Sequence, residues 1–182
     1  MENTLLLDYI TNITRVLDPR YPTLYEVAFL KIYVKFEKYI ANIFLTYCLG
    51  QENSYGYKPQ RKLEFISEEQ LKAVLKSENK SYIDYIKKIE SLSNHLFVDN
   101  PFSIIFETDN GSLFNQMICL RNYIAHESDE SRKKYQLNCL PQNIFMEAGD
   151  YLLKAKRGTT KTYFSIYIEK IKEVSELLLN PI

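Results

Sequence analysis

Apolar residues recur at three- and four-residue intervals over most of this chain, which is the spacing of amphipathic helices and not the alternation of half-buried strands. The pattern predicts a first helix over 5–17, closed by Asp18-Pro19 and followed by Tyr21-Pro22. Proline lacks a backbone donor and disfavours helix in the residue before it. A second helix is predicted over 23–49, with Gly50 as its C-terminal stop. It is apolar around most of its circumference through Phe29, Leu30, Ile32, Tyr33, Val34, Phe36, Ile40, Ile43 and Phe44, which suits the centre of a bundle or a helix shared between two subunits.

Residues 51–62 are polar, contain Gly56 and Pro59, and read as a loop. Ser67-Glu68-Glu69 opens a short helix whose acidic first turn suits the macrodipole, and a further helix is predicted over 82–92. Residues 101–106 are ambiguous, and Asp109-Asn110-Gly111 predicts a turn. From Ser112 a helix is predicted with Leu113, Met117, Leu120 and Ile124 on one core stripe. Two closing helices, over 143–156 and 162–179, are predicted to form a hairpin through Arg157-Gly158-Thr159-Thr160.

Composition agrees with this pattern. Five glycines and six prolines in 182 residues are few for a sheet-rich protein, and 46% hydrophobic residues suffice for one real core. The expected fold is therefore all-α, a single domain over 1–182. Lys plus Arg equals Asp plus Glu at 23 each, so no global field draws the chain onto a polyanion, and RNA binding requires local charge. The first ten residues carry Glu2 and Asp8 without the charge order of a signal peptide, and no apolar run is long enough to span a bilayer. The expectation is a cytoplasmic protein with no membrane partner. Cys48, Cys119 and Cys139 are odd in number and widely spaced, which argues against a disulfide framework or zinc site and for small core residues. No cofactor or metal is expected.

On a helical wheel Arg121 falls at the edge of the core stripe, while Asn122 and His126, four residues apart, share the opposite side and are within reach of each other. A histidine at a helix end is also simply a solvated residue near free carbonyls. Glu37 is the second anomaly. Lys31, Lys35 and Lys38 share one polar stripe of the long helix, whereas Glu37 falls among Leu30, Tyr33, Ala41 and Phe44. An unpaired carboxylate there costs several kcal/mol by order of magnitude, so a cationic partner is expected, and Arg121 is the candidate.

The string Leu120-Arg-Asn-Tyr-Ile-Ala-His126 resembles the signature of the HEPN superfamily, an arginine followed by a polar residue and then a histidine. The stretch from Val27 to Phe44 resembles the early helix of its RiboL-PSP-HEPN branch, in which an aromatic residue followed by an acid interrupts an apolar helix. Here that pair is Phe36-Glu37, with phenylalanine where the branch leads one to expect tryptophan. Together the two stretches cover about a quarter of the chain.

The resemblance implies a HEPN-like helical bundle and a metal-independent endoribonuclease, acting as a homodimer in which both motifs line one cleft. It further implies a place in toxin–antitoxin or antiviral-defence systems, beside an antitoxin or a nucleotidyltransferase-like partner. The reaction is attack of a ribose 2′-OH on the adjacent phosphate. It requires a proton acceptor, a proton donor and positive charge on the developing phosphorane. His126 is assigned as general base or acid and Arg121 as phosphate clamp; Asn122 would orient His126 or a phosphate oxygen, and Glu37 would stand beside Arg121. Two other readings stay open: a non-catalytic dimerisation or scaffold module, and a nucleotide-binding accessory subunit. Arg132-Lys133-Lys134 and the basic residues Lys154, Lys156, Arg157 and Lys161 are further candidates to meet phosphates, although such runs are usually solvated loops. His95 has no motif around it and reads as structural or exposed.

Overall fold

A computed structural model describes residues 2–75, 85–106, 108–140 and 144–180. Among them are nine helices and no strand: α1 (Glu2–Arg15), α2 (Pro22–Cys48), α3 (Glu68–Leu75), α4 (Tyr85–Leu96), α5 (Ser103–Phe106), α6 (Thr108–His126), α7 (Asp129–Cys139), α8 (Ala148–Leu153) and α9 (Tyr163–Leu177). The all-α expectation holds.

α2 is the axis of the bundle, as its all-round apolar pattern predicts, and α1, α3, α4, α6, α8 and α9 all pack against it. Pro22 occupies its first turn, where a missing N–H costs nothing. Its end is a Schellman motif: the Gly50 N–H donates to Tyr47 O and the Gln51 N–H to Thr46 O, both at 3.0 Å, with Gly50 left-handed at φ 69°. Tyr39 and Tyr47 reach from α2 to the far end of the chain, donating to Ser175 O at 2.7 Å and Leu178 O at 2.6 Å. One core, drawing buried residues from α1 through α9, results. Cys48, Cys119 and Cys139 are free and buried within it, as expected. No helix among the described residues is long and apolar enough to cross a membrane.

Residues 51–62 form the predicted loop, and α3 starts after Ser67, whose Oγ accepts from the Gln70 N–H at 3.2 Å. The helix predicted over 82–92 continues to Leu96, and its first residues, 82–84, lie outside the described residues. The ambiguous 101–106 stretch resolves into the single turn of α5.

Three expectations are corrected. The Asp109-Asn110-Gly111 turn is the first turn of α6: the Asn110 side chain donates to Ile104 O at 2.7 Å, and Gly111 lies where a Cβ would stand 3.0 Å from Phe106 O. Asn-Gly here serves a tight α5–α6 approach and does not reverse the chain. α7 occupies a polar stretch that apolar periodicity passes over; Ser128 caps it, accepting from the Ser131 N–H at 3.2 Å. The helix predicted over 143–156 contracts to Ala148–Leu153, with residue 143 outside the described residues. Residues 144–147 are non-helical because Phe145 packs edge-on against Tyr123 and the Met146 carbonyl accepts from Tyr135 Oη. The connection to α9 is accordingly a short turn closed by an Ala155–Thr162 bridge, with Gly158 at φ 81°.

Candidate active site

α6 is seated on α2 by its apolar stripe. Phe114 stacks on Phe36 with ring centroids 5.7 Å apart and planes 14° from parallel, and Met117 and Leu120 are wholly buried. That seating turns Arg121, at the edge of the stripe, toward the flank of α2 that carries Glu37. Arg121 Nη2 donates to Glu37 Oε2 at 3.3 Å, and the two side chains keep only 26% and 29% of their accessibility. The cation expected for Glu37 is therefore Arg121.

The guanidinium is held a second time, by Nη1 donating to Asn122 Oδ1 at 3.0 Å. Its Nε is buried and makes no hydrogen bond among the described residues. Arg121 is thus fixed in orientation by two of its five N–H groups, while the buried Nε–H is left without a partner among the described residues. Asn122 corrects the wheel-based expectation. Its carbonyl oxygen serves Arg121, and no hydrogen bond joins it to His126 among the described residues.

His126 stands exposed in the last turn of α6. The next residue, Glu127, adopts φ 48°, and its N–H donates to Tyr123 O at 2.9 Å, so the helix closes through a left-handed residue that is not glycine. α7 begins two residues later, which places His126 at a sharp corner, open to solvent. His95 is also exposed, in the last turn of α4.

The wall beside this corner is acidic; Glu127 was legible in the sequence as an acid next to His126, whereas Glu26, Glu147 and Asp150 were not read from it. Glu26 Oε1 accepts from the Gly149 N–H at 2.7 Å, joining α2 to the start of α8. Burial raises the Glu26 carboxyl above the ordinary carboxylate range, and the charges of Glu147, Glu127 and Asp150 raise it further. Tyr123 Oη donates to Glu147 Oε2 at 3.2 Å, and its ring stacks on Tyr135 at 4.8 Å with planes 2° apart. Burial, then the Glu147 charge, raises the Tyr123 phenol as well. A signal for Glu26 does exist in the sequence: it stands three helical turns before Glu37, on the same flank of α2. Backbone contact explains how α8 comes so near, since a Cβ on Gly149 would stand 2.5 Å from Pro22 O.

Of the basic runs, Lys134 is paired with Glu130 and Lys161 with Glu169, both at 2.6 Å, and the Arg132 guanidinium lies 4.0 Å over the Phe145 ring. Lys154, Lys156 and Arg157 are exposed. Among the described residues no group of three or more His, Cys, Asp or Glu is placed to hold a metal ion. Two surface hollows between Asn3, residues 52–55 and the end of α9 include none of Glu37, Arg121, Asn122 or His126.

Compared with known proteins, the chain matches no family model, no curated protein and no solved structure.

Proposed function

We propose that this protein is a metal-independent endoribonuclease of HEPN type, with Arg121, Asn122 and His126 acting on the scissile phosphate and Glu37 positioning Arg121. The observation that carries this reading is the hydrogen-bonded chain from Glu37 of α2 to Arg121 and Asn122 of α6, with a solvent-open His126 about one turn further along α6. A guanidinium aligned by two neighbours offers the fixed positive charge that a developing phosphorane needs, with little reorganisation at the moment of reaction.

In the proposed reaction the ribose 2′ oxygen forms a bond to the adjacent phosphorus and the bond from phosphorus to the 5′ oxygen breaks. A neutral imidazole takes the 2′ proton and an imidazolium gives one to the departing 5′ oxygen, so the products are a 2′,3′-cyclic phosphate and a 5′-hydroxyl. Each chain offers one such histidine, and a homodimer with two motifs facing one cleft would provide both protonation states at once. Service as a toxin or antiviral-defence effector, with an antitoxin or nucleotidyltransferase-like partner as its control, accords with this activity.

The test is incubation of the wild type, Arg121→Ala and His126→Ala with mixed cellular RNA in EDTA, after light scattering has established the oligomeric state of each. Cleavage by the wild type alone, with cyclic-phosphate ends, is expected. Equal inactivity of all three proteins would overturn the reading in favour of a scaffold or nucleotide-binding role.

A further inference from the structure

We propose that the depression where the start of α1, the loop over 52–55 and the end of α9 meet binds a linear aliphatic polyamine, its ammonium groups on Glu52 and Glu176 and one N–H donated to the Asn3 side-chain carbonyl. This goes beyond the ribonuclease reading and does not rest on it, since none of Glu37, Arg121, Asn122 or His126 lines the depression. Two hollows make it up, of about 170 and 540 Å³, and they share Asn3 and Leu179. The larger has the size of a small-molecule site.

Asn3 is the residue that calls for a ligand. It stands in the first turn of α1, keeps 7% of its accessibility and lines both hollows, and its Oδ1 has no hydrogen-bond partner among the described residues. Buried acceptors are nearly always satisfied, so one placed beside a hollow asks for a donor from outside the chain. Asn53, in the wall of the smaller hollow, is the opposite case. Its Nδ2 donates to Tyr47 Oη at 2.8 Å and to Leu179 O at 2.6 Å, and its Oδ1 accepts from the Tyr55 and Tyr57 N–H groups at 2.8 and 3.1 Å. Those bonds fasten the loop to α2 and to the end of α9, so the wall that carries Glu52 and Tyr55 is formed before a ligand arrives.

The lining selects positive charge. Among the described residues it holds three carboxylates and no lysine, arginine or histidine. Glu173 is paired with Lys170 at 2.7 Å, whereas Glu52 and Glu176 have neither an ion pair nor a side-chain hydrogen bond among the described residues. A single metal ion does not fit, because no three acidic, histidine or cysteine side chains among those residues are placed to share one. Glu52 lines the smaller hollow and Glu176 the larger, with apolar Ile43, Leu177 and Leu179 in the same lining. Separate anionic points over an apolar floor match ammonium groups separated by methylene segments. Tyr55, 70% exposed in the lining of the larger hollow, adds an aromatic face for an ammonium.

The test is calorimetric titration of the full chain with spermidine, with butylamine and magnesium chloride as comparison titrants. One saturable site is expected for spermidine, at least about tenfold tighter than for butylamine, because a second ammonium binds at the effective concentration set by the first. Magnesium should show no such site. Glu52→Gln with Glu176→Gln should weaken spermidine binding about tenfold, roughly threefold for each exposed carboxylate. Asn3→Ala should weaken it about tenfold while the Tm of the free protein stays level or rises, since the change removes a buried acceptor that nothing satisfies. Glu147→Gln with Asp150→Asn, which takes the same charge from the acidic wall near α8, should leave binding unchanged. No saturable spermidine binding by the wild type, an equal response to magnesium, an equal loss in the Glu147 and Asp150 variant, or wild-type affinity in Asn3→Ala overturns the site. Binding alone is read, so failure here leaves the ribonuclease reading standing, and absence of RNA cleavage leaves this site standing.

Discussion

The two ends of the motif on α6 are built differently. Arg121 is largely buried, oriented by Glu37 and Asn122, and seated by the Phe36–Phe114 stack, whereas His126, one turn later, is exposed and has no hydrogen-bond partner among the described residues. The fold itself completes the arginine end. The histidine end is left open to solvent, and under the proposed function a substrate or a second copy of the chain would complete it. Substitutions at the arginine end should therefore disturb stability and activity together, and those at the histidine end activity alone.

The sharpest break of that comparison is His126→Ala, expected to lower RNA cleavage about 10²- to 10⁴-fold, the usual worth of a positioned acid or base, with no change in Tm. A clear fall in Tm would mean that the exposed imidazole has a structural role. Arg121→Ala should match the loss of cleavage and also lower stability by about 1–3 kcal/mol, because the guanidinium is taken from a Glu37 carboxylate that is itself mostly buried. Denaturant unfolding measures this, and a variant as stable as the wild type would remove the asymmetry.

Gly149→Ala tests the wall beside the histidine end. Its Cβ would meet the Pro22 carbonyl, so α8 must shift and stability should fall by about 1–3 kcal/mol, with a wild-type Tm counting against the close approach. The smallest effect is expected from Glu26→Gln, which keeps an acceptor for the Gly149 N–H and removes the charge. Because the folded protein holds this carboxyl above its ordinary value, the stability that Glu26 contributes is fully present below the unfolded carboxylate pKa, about 4.3, and is lost as pH rises through the raised folded value. The glutamine variant should thus be the more stable protein near neutrality, and the difference should vanish on acidification. A difference that widens at low pH would refute the assigned direction.

What was legible in the sequence follows where the physics is local. The length of α2, its Gly50 stop and its central place all stem from an apolar pattern that periodicity exposes. Glu37 was legible for the converse reason: a charge off the polar stripe demands a partner, and Arg121 answers it at 3.3 Å. Illegible features depend on tertiary contact. Residues 144–147 leave the helix because Phe145 and Met146 serve Tyr123 and Tyr135, contacts that no local pattern encodes. α7 has almost no apolar face, so its periodicity is silent although its Ser128 cap is written plainly. Asn110-Gly111 reads as a turn by propensity alone, and the approach of Phe106 overrides it. Wheel geometry put Asn122 within reach of His126, yet a charged donor next to it in sequence is the stronger competitor for its carbonyl.

The bonds from Tyr39 and Tyr47 to Ser175 and Leu178 also bear on how the chain is born. They join residues separated by 136 and 131 positions, so at ordinary rates of synthesis α2 leaves the ribosome on the order of ten seconds before its last neighbour does. For that interval the part of its apolar surface that α9 covers stands open, although α1, α3, α4 and α6, which cover other parts of it, are made earlier.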